Sequence, residues 1–128
     1  MPWKLTYDAE LGIVCCNYSG HVTADDFKKA AQETIALAIQ QKTNLLLIDD
    51  FKLESAVSTL EIYNMPKIYN EIQGNRKSRI ALILPPSGKI REDVKFYETV
   101  CLNNGWKVRA FDKRSQATQW LLNPNQPR

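Results

Sequence analysis

Two adjacent carboxylates, Asp49 and Asp50, follow an apolar run that starts at Leu45, and a serine, Ser58, comes shortly after them. A pair of carboxylates can exchange protons, and a serine beside it can be a nucleophile or a phosphorylation site. Neighbouring residues of a strand point to opposite faces, so these aspartates are not expected to share a proton as a catalytic pair. We expect them at the carboxyl end of an inner strand, one accepting a hydrogen bond from a backbone turn and the other pointing into a crevice.

Ser58 also fits a purely structural pattern. Ser58-Thr-Leu-Glu61 is a complete capping box, in which the serine oxygen accepts a backbone hydrogen bond and the Glu61 carboxylate accepts one in return. Such a cap stabilises the start of a helix by about 1 kcal/mol. Helix capping is therefore the first prediction for Ser58.

The sequence does not supply the further groups that a metal site or a nucleophilic dyad needs. His21 is the single histidine, and it follows Gly20 in a predicted turn, with no serine or cysteine at a spacing that indicates a dyad. A metal at Asp49 or Asp50 would need more carboxylates or a histidine nearby. We therefore predict no metal, no cofactor and no catalytic residue.

A second polar stretch, Leu84-Pro-Pro-Ser-Gly-Lys-Ile90, resembles a phosphate-binding loop only in part. That motif needs a glycine separated by four residues from its Gly-Lys pair and a serine or threonine after the lysine, and Ile83 and Ile90 occupy these two positions here. Nucleotide hydrolysis is excluded on this ground. Ser87, Lys89 and Arg91 around the predicted helix start remain candidate contacts for an anion.

The densest basic cluster is Asn75-Arg-Lys-Ser-Arg79, with Lys89 and Arg91 expected nearby. It is interpreted either as a solvated loop or as a contact for acidic lipid headgroups or an acidic protein surface. Nucleic-acid binding is not expected, because the aromatic residues fall on predicted core stripes instead of alternating with the basic ones.

An apolar segment from Leu60 to Tyr69 is predicted to form a helix that Pro66 stops or kinks. Leu60, Tyr63 and Met65 are predicted to face one way. Core packing is the default interpretation, but a helix rich in tyrosine and methionine can also line a crevice or a dimer surface. The candidate crevice residues are Asp49, Asp50, Tyr63, Met65 and Tyr97.

Length and composition indicate one globular domain. The chain has 128 residues, of which 44% are hydrophobic and 24% charged, so it can bury a core and is not expected to be disordered. We predict a single domain over residues 1–122 and a flexible tail over 123–128. No apolar run is long enough to span a bilayer, no secretion signal is recognised, and Cys15, Cys16 and Cys101 are expected to be reduced and buried, which together predict a cytoplasmic protein.

Hydrophobic periodicity predicts the element order ββαβαβαβα, an α/β fold. Two short runs, 3–7 and 11–18, indicate a hairpin, and Thr23 is predicted to cap a helix that reaches about Gln41. Three later runs are apolar on both faces, which is typical of inner parallel strands: 45–48, 79–84 and 106–111. The prediction is a mixed sheet, in which the hairpin is followed by parallel strands joined through packed helices.

Four stretches placed along this order resemble the STAS/SpoIIAA-like family, small bacterial domains related to anti-sigma-factor antagonists. They are "YSGHVTADDF", "LLLIDDF", "RIALILP" and "FYETVCLNNGWKVRAFDKRSQATQWL", which together span nearly the whole chain. The resemblance implies helices packed on a mixed sheet, and it includes a distant relation to CRAL-TRIO lipid-binding domains, which place an apolar crevice between helices and sheet.

The resemblance also implies a role for the start of the helix after the central strand. Studied branches of the family act through protein partners and are switched by phosphorylation of a serine or threonine there, which makes Ser58 and Thr59 the candidate phosphoacceptors. Those branches carry an Asp-Ser-Ser/Thr-Gly stretch, whereas this chain has Ala56-Val-Ser-Thr-Leu60.

The leading functional hypothesis is therefore a non-enzymatic domain that binds a protein partner or a second copy of itself as a homodimer. The alternative is a domain that binds a small apolar ligand or lipid between helices and sheet. A cavity of a few hundred Å³ would favour this alternative.

Overall fold

A computed structural model of the chain describes residues 2–55, 58, 61–65, 67 and 77–123. Within this part the strands are β1 (Trp3–Asp8), β2 (Ile13–His21), β3 (Leu45–Ser55), β4 (Arg79–Ile83) and β5 (Lys107–Phe111). The helices are α1 (Ala24–Gln40), α2 (Gly88–Asn103) and α3 (Arg114–Leu122), and residues 61–65 are also helical. The predicted flexible tail lies outside the described residues from position 124 onward.

The strands form one mixed sheet in the order β1-β2-β3-β4-β5. β1 and β2 pair antiparallel, whereas β2, β3, β4 and β5 pair parallel in sequence. The predicted hairpin, the parallel pairing of β3, β4 and β5 and the α/β class are confirmed, but β5 lies at the edge of the sheet and is not one of its inner strands.

The core lies in two layers, one on each face of the sheet. The larger layer packs α1, α2 and the 61–65 turn against one face, and the smaller layer packs Ala117 and Leu121 of α3 against the other. Successive residues of β3 and β4 enter opposite layers, which explains why these strands read as continuous apolar runs. All three cysteines are free and buried in these layers, as predicted.

The boundaries of α1 and α2 follow their sequence signals. The Thr23 side chain accepts a hydrogen bond from the Asp26 backbone, and the Asp26 carboxylate accepts one from the Thr23 backbone, both at 3.1 Å. Gly105 has a φ of +84° after α2, which is the left-handed conformation predicted for it. Local sequence therefore sets where α1 begins and where α2 ends.

The prediction was wrong about the ends of β2 and β3. β2 continues through Gly20 to His21, so the histidine lies at a strand end, where its Nδ1 is hydrogen-bonded to the Ser55 hydroxyl at 2.5 Å. β3 does not end at Asp49 and Asp50 but continues to Ser55. The two strands stay paired beyond the point where β4 ends, which residue propensity alone did not indicate.

We predict that Leu82→Ala lowers the free energy of unfolding by about 2–5 kcal/mol. Leu82 lies on β4 in the larger layer and is 0% exposed, so its removal leaves a cavity that the surrounding side chains cannot fill. Urea unfolding measures the change. The matched control is Leu102→Ala on α2, where the leucine is 50% exposed, and its effect should stay within about 0.5 kcal/mol. Equal losses in both variants would contradict this assignment of the core.

Candidate functional site

The candidate site lies where β3 passes the end of β4. The last β3–β4 pair is Asp49 with Ile83, while β3 stays paired with β2 beyond that point. In the β2–β3 pairing, Asn17 pairs with Asp49 and Ser19 pairs with Lys52. Between these two pairs β3 therefore contains one more residue than β2. This β-bulge reverses the alternation of faces, and Leu53 consequently lines the same cavity as Asp50.

Asp49 and Asp50 lie on opposite faces of the sheet. Asp49 accepts a hydrogen bond from the Phe51 backbone at 3.0 Å and a charged one from Arg114 of α3, also at 3.0 Å. The Arg114 guanidinium also lies 2.7 Å from the Cys15 sulfur. Asp49, which was predicted among the crevice residues, therefore belongs to the α3 side and does not line the cavity.

Asp50 faces a cavity of about 90 Å³ between the sheet and the helices of the larger layer. The described lining residues are mostly apolar or aromatic. They come from β2, β3, β4, α1, α2, the 61–65 turn and single residues adjacent to β2, β4 and β5. They are Tyr18, Val22, Phe27, Ala31, Thr34, Ile35, Leu46, Ile48, Asp50, Leu53, Ile62, Met65, Ser78, Ile80, Asp93, Val94, Tyr97 and Trp106. The volume is below the few hundred Å³ typical of a pocket for a drug-sized ligand or lipid.

The structure brings together three of the predicted crevice residues, Asp50, Met65 and Tyr97, and leaves Tyr63 outside. In the 61–65 turn, Ile62 and Met65 are buried at the three-residue spacing of one helix face, whereas Tyr63 is 62% exposed. The prediction that Tyr63 and Met65 face the same way was wrong. Ile62 was missed, although its spacing to Met65 was legible in the sequence.

Aromatic rings form one wall of the cavity. Phe27 of α1 lies between two tyrosines, stacked on Tyr18 at a ring-centre distance of 6.4 Å and edge-on to Tyr97 at 6.1 Å. Such offset and edge-on contacts fix ring positions beyond what burial alone achieves. Trp106, which directly precedes β5, is the fourth aromatic residue of the lining.

Asp50 is 6% exposed and makes no hydrogen bond with any residue in the described ranges. Its pKa is raised well above the usual aspartate range, mainly because burial penalises the charged carboxylate and also because Asp49 carries a nearby negative charge. A buried carboxyl group without a partner is costly to folding, so it marks the cavity as a candidate site.

We predict that Asp50→Asn gains stability relative to the unmodified protein as the pH rises. The folded state holds a proton on Asp50 that the unfolded chain releases, so the free energy of unfolding falls with pH above the unfolded aspartate pKa of about 4. Asparagine has no such titration. The stability difference should therefore grow from about pH 4 upward and level off above the folded pKa.

Urea unfolding at a series of pH values measures this difference. Asp25→Asn on α1, which removes an exposed carboxylate, controls for the loss of one negative charge. A difference between Asp50→Asn and the unmodified protein that stays flat from about pH 4 to about pH 8 would contradict the burial of an ionisable group here.

The cysteines are not reactive groups of this site. Burial raises the pKa of both the Cys16 and the Cys101 thiol to about 12, so both are protonated at neutral pH. The pKa of Cys15 is also raised, by burial that outweighs the opposing effect of Arg114. All three thiols act as small apolar side chains.

Ser58 has the geometry of a helix cap. Its hydroxyl oxygen accepts a hydrogen bond from the Glu61 backbone at 3.3 Å, and the Glu61 carboxylate accepts one from the Ser58 backbone at 3.1 Å. The Ser58 carbonyl accepts the first helical bond, from Ile62 at 2.9 Å. Ser58 is exposed, and Thr59, the other candidate phosphoacceptor, lies outside the described residues.

We expect Ser58→Ala to lower the free energy of unfolding by about 1 kcal/mol, because the Glu61 backbone N–H loses its acceptor. Ser115→Ala is the matched control: Ser115 is exposed in the first turn of α3 and has no side-chain hydrogen bond within the described part of the chain. Thermal or urea unfolding distinguishes the two. If the two variants lose the same stability, the capping assignment is wrong.

Two of the three candidate anion contacts, Lys89 and Arg91, already form ion pairs with carboxylates. Lys89 is paired with Asp93 at 3.0 Å. Arg91 is paired with Asp112 at 2.7 Å and also donates to the Pro85 carbonyl. The Ser87 side chain makes no capping bond at the start of α2. An anion at this position would have to displace two carboxylates.

The predicted grouping of Arg79 with Lys89 and Arg91 was wrong. Arg79 begins β4 and the other two follow its end, so a strand of five residues, about 13 Å long, separates them. Arg79 instead lies over the Trp120 ring on the α3 side, 4.2 Å from its centre, and donates to the Trp120 carbonyl. Asn75 and Arg76 of the predicted cluster lie outside the described residues.

The described ranges contain no helix that is long and apolar enough to cross a membrane. The same ranges contain no group of three or more histidine, cysteine, aspartate or glutamate side chains placed to hold a metal ion.

Comparison with known proteins finds no matching protein-family model and no matching curated sequence. Among solved structures, an uncharacterised protein of the DUF3478 family with a SpoIIAA-like fold from Shewanella loihica PV-4 is similar, with a TM-score of 0.59 and 15% identity, over 93% of this chain and 91% of that one. The unphosphorylated anti-sigma factor antagonist SpoIIAA gives a TM-score of 0.49 and 16% identity, over 89% and 91% of the two chains. The first of these structures establishes that the chain has a SpoIIAA-like fold, as the sequence resemblance predicted.

Proposed function

We propose that this protein is a non-enzymatic interaction domain that binds a protein partner through the surface formed by Ser58, Glu61 and Tyr63. The observation that carries the proposal is the exposure of this helix start: Ser58 and Glu61 form the cap, and Tyr63 points outward from the turn that they begin. The SpoIIAA-like fold supports the proposal at the level of architecture.

Tyr63 has the properties of an interface residue. A tyrosine that is 62% exposed on a helical turn offers a large apolar ring and a hydroxyl, a combination enriched at protein interfaces. An exposed aromatic ring contributes little to the stability of the free protein, whereas its burial against a partner would stabilise a complex.

Phosphorylation of Ser58 would change this surface in a defined way. A phosphate on the hydroxyl would carry nearly two negative charges at a helix N-terminus, where backbone N–H groups and the helix dipole favour an anion. It would also repel the Glu61 carboxylate, which is hydrogen-bonded to the Ser58 backbone. Modification would therefore replace the capping box with an anionic cap and release the Glu61 side chain.

A photo-crosslinking experiment in the native host tests the proposal. With p-benzoylphenylalanine in place of Tyr63, ultraviolet light should join the chain to one defined partner. The matched control carries the photo-reactive residue at Leu102, an exposed apolar position on α2. Intact-mass measurement of the same preparations reports whether the chain carries phosphate, and loss of that mass in Ser58→Ala would assign the phosphate to Ser58.

The identity of the product decides between the partner types. A heterologous protein joined from position 63 and not from position 102 supports the proposal, and a product of twice the chain's mass supports the homodimer form of it. No product from position 63, or equal products from both positions, contradicts an interface at this helix start.

A second function, the binding of a small apolar molecule, is supported by the cavity beside Asp50. Its walls are mostly hydrocarbon and aromatic, and its volume of about 90 Å³ is roughly that of three water molecules in the liquid. That size favours a molecule of a few heavy atoms and disfavours the lipid that was considered from the sequence.

A further inference from the structure

The cavity has one chemical feature that its apolar walls do not account for, which is the Asp50 carboxyl group. This side chain is more than nine-tenths buried, lines the cavity, and has no hydrogen-bond partner in the described part of the chain. Buried carboxylates are normally paired with a cation or bonded to several donors, because an isolated charge loses its hydration. The missing partner can therefore be supplied by a molecule in the cavity.

The charged residues around the cavity determine which sign of charge a bound molecule can carry. Asp93 of α2 is a second carboxylate in the lining, and its partner Lys89 extends into solvent with 80% of its side chain exposed. No lysine, arginine or histidine belongs to the lining within the described ranges. An anion would therefore find no cationic partner in the described lining, whereas a cation can pair with Asp50.

The aromatic wall acts in the same direction. Tyr18, Phe27, Tyr97 and Trp106 all line the cavity, and the faces of aromatic rings attract organic cations. Apolar walls alone would accept any small hydrocarbon. Carboxylates together with aromatic rings are the recurring surroundings of bound ammonium groups.

We propose that the cavity binds a small apolar amine, whose ammonium group pairs with Asp50 as the Asp50 carboxyl group releases its proton to solvent, while the hydrocarbon part of the amine contacts the aromatic and aliphatic wall. This inference rests on the second proposed function, apolar ligand binding, and is independent of the protein-partner surface. The chemical class is a primary alkylamine with about three to five heavy atoms, since about 90 Å³ holds no more. Met65, which is unbranched and flexible, can adjust the wall to the length of the chain.

The test uses the full chain labelled with ¹³C at its methionine methyl groups. The chain contains two methionines, so the Met65 signal is assigned by comparison with Met65→Leu, and it reports directly on the cavity. The probes are n-propylamine hydrochloride and n-propanol, which have the same number of heavy atoms and differ in charge. Titration of each at neutral pH gives its dissociation constant.

We expect a saturable shift of the Met65 signal with n-propylamine, with a dissociation constant of about 0.1–10 mM, the range accessible to so few atoms. Binding of n-propanol should be at least about tenfold weaker, because it brings no charge to Asp50. Asp50→Asn should remove this preference. Asp49→Asn, on the opposite face of the sheet, should retain it.

Each other outcome overturns a defined part of the inference. Equal binding of amine and alcohol by the unmodified protein supports an apolar-ligand site and overturns the amine assignment, without need of any variant. A preference for the amine that survives in folded Asp50→Asn overturns the role of Asp50. The lack of a saturable shift with either probe overturns both this inference and the second proposed function.

Discussion

Strand β3 is apolar on both faces over its first four residues, and covering both faces determines where the other elements pack. β2 and β4 occupy its two edges, α1 and α2 pack against one face, and α3 packs against the other. Because residues 45–48 of β3 are covered on both faces and both edges, a polar side chain directly after them either forms a hydrogen bond or ion pair with a neighbouring residue or stays unpaired. Asp49 is held by Arg114, and Asp50 is not held by any described residue.

The sequence predicted the elements well because their signals are local. Nearly continuous apolar runs marked β3 and β4, the run from Trp106 to Phe111 marked β5 although it includes Lys107 and Arg109, and the pattern from Thr23 to Asp26 marked the start of α1. The opposite facing of Asp49 and Asp50 also follows from strand geometry alone.

The features that define the cavity were less accessible, because they depend on pairing between distant segments. The bulge in β3 exists only relative to β2, and nothing in the residues near Phe51 specifies an extra one. The direction of Tyr63 depends on how the 61–65 turn packs on the sheet, and only the three-residue spacing of Ile62 and Met65 indicated the buried face in advance. The ion pair of Lys89 with Asp93, in contrast, was legible as an i,i+4 spacing and was overlooked.

The two proposed sites share one short helical turn. Ser58 and Glu61 cap it, while Ile62 and Met65, one step further along, form part of the cavity wall. A change that loosens the cap would therefore move a wall of the cavity, and a molecule filling the cavity would in turn hold the turn in place. Any such coupling must act equally in both directions.

The continuation of β2 and β3 beyond the end of β4 has a consequence for assembly. Past Asp49, no described strand pairs with β3 on the side where β4 ended, and an open strand edge is a template for another chain. Lys52 and Glu54 place charges along this edge, and two register shifts bend it away from the straight geometry that a new strand needs. Extension of the sheet from one copy to the next is therefore disfavoured at this edge of β3.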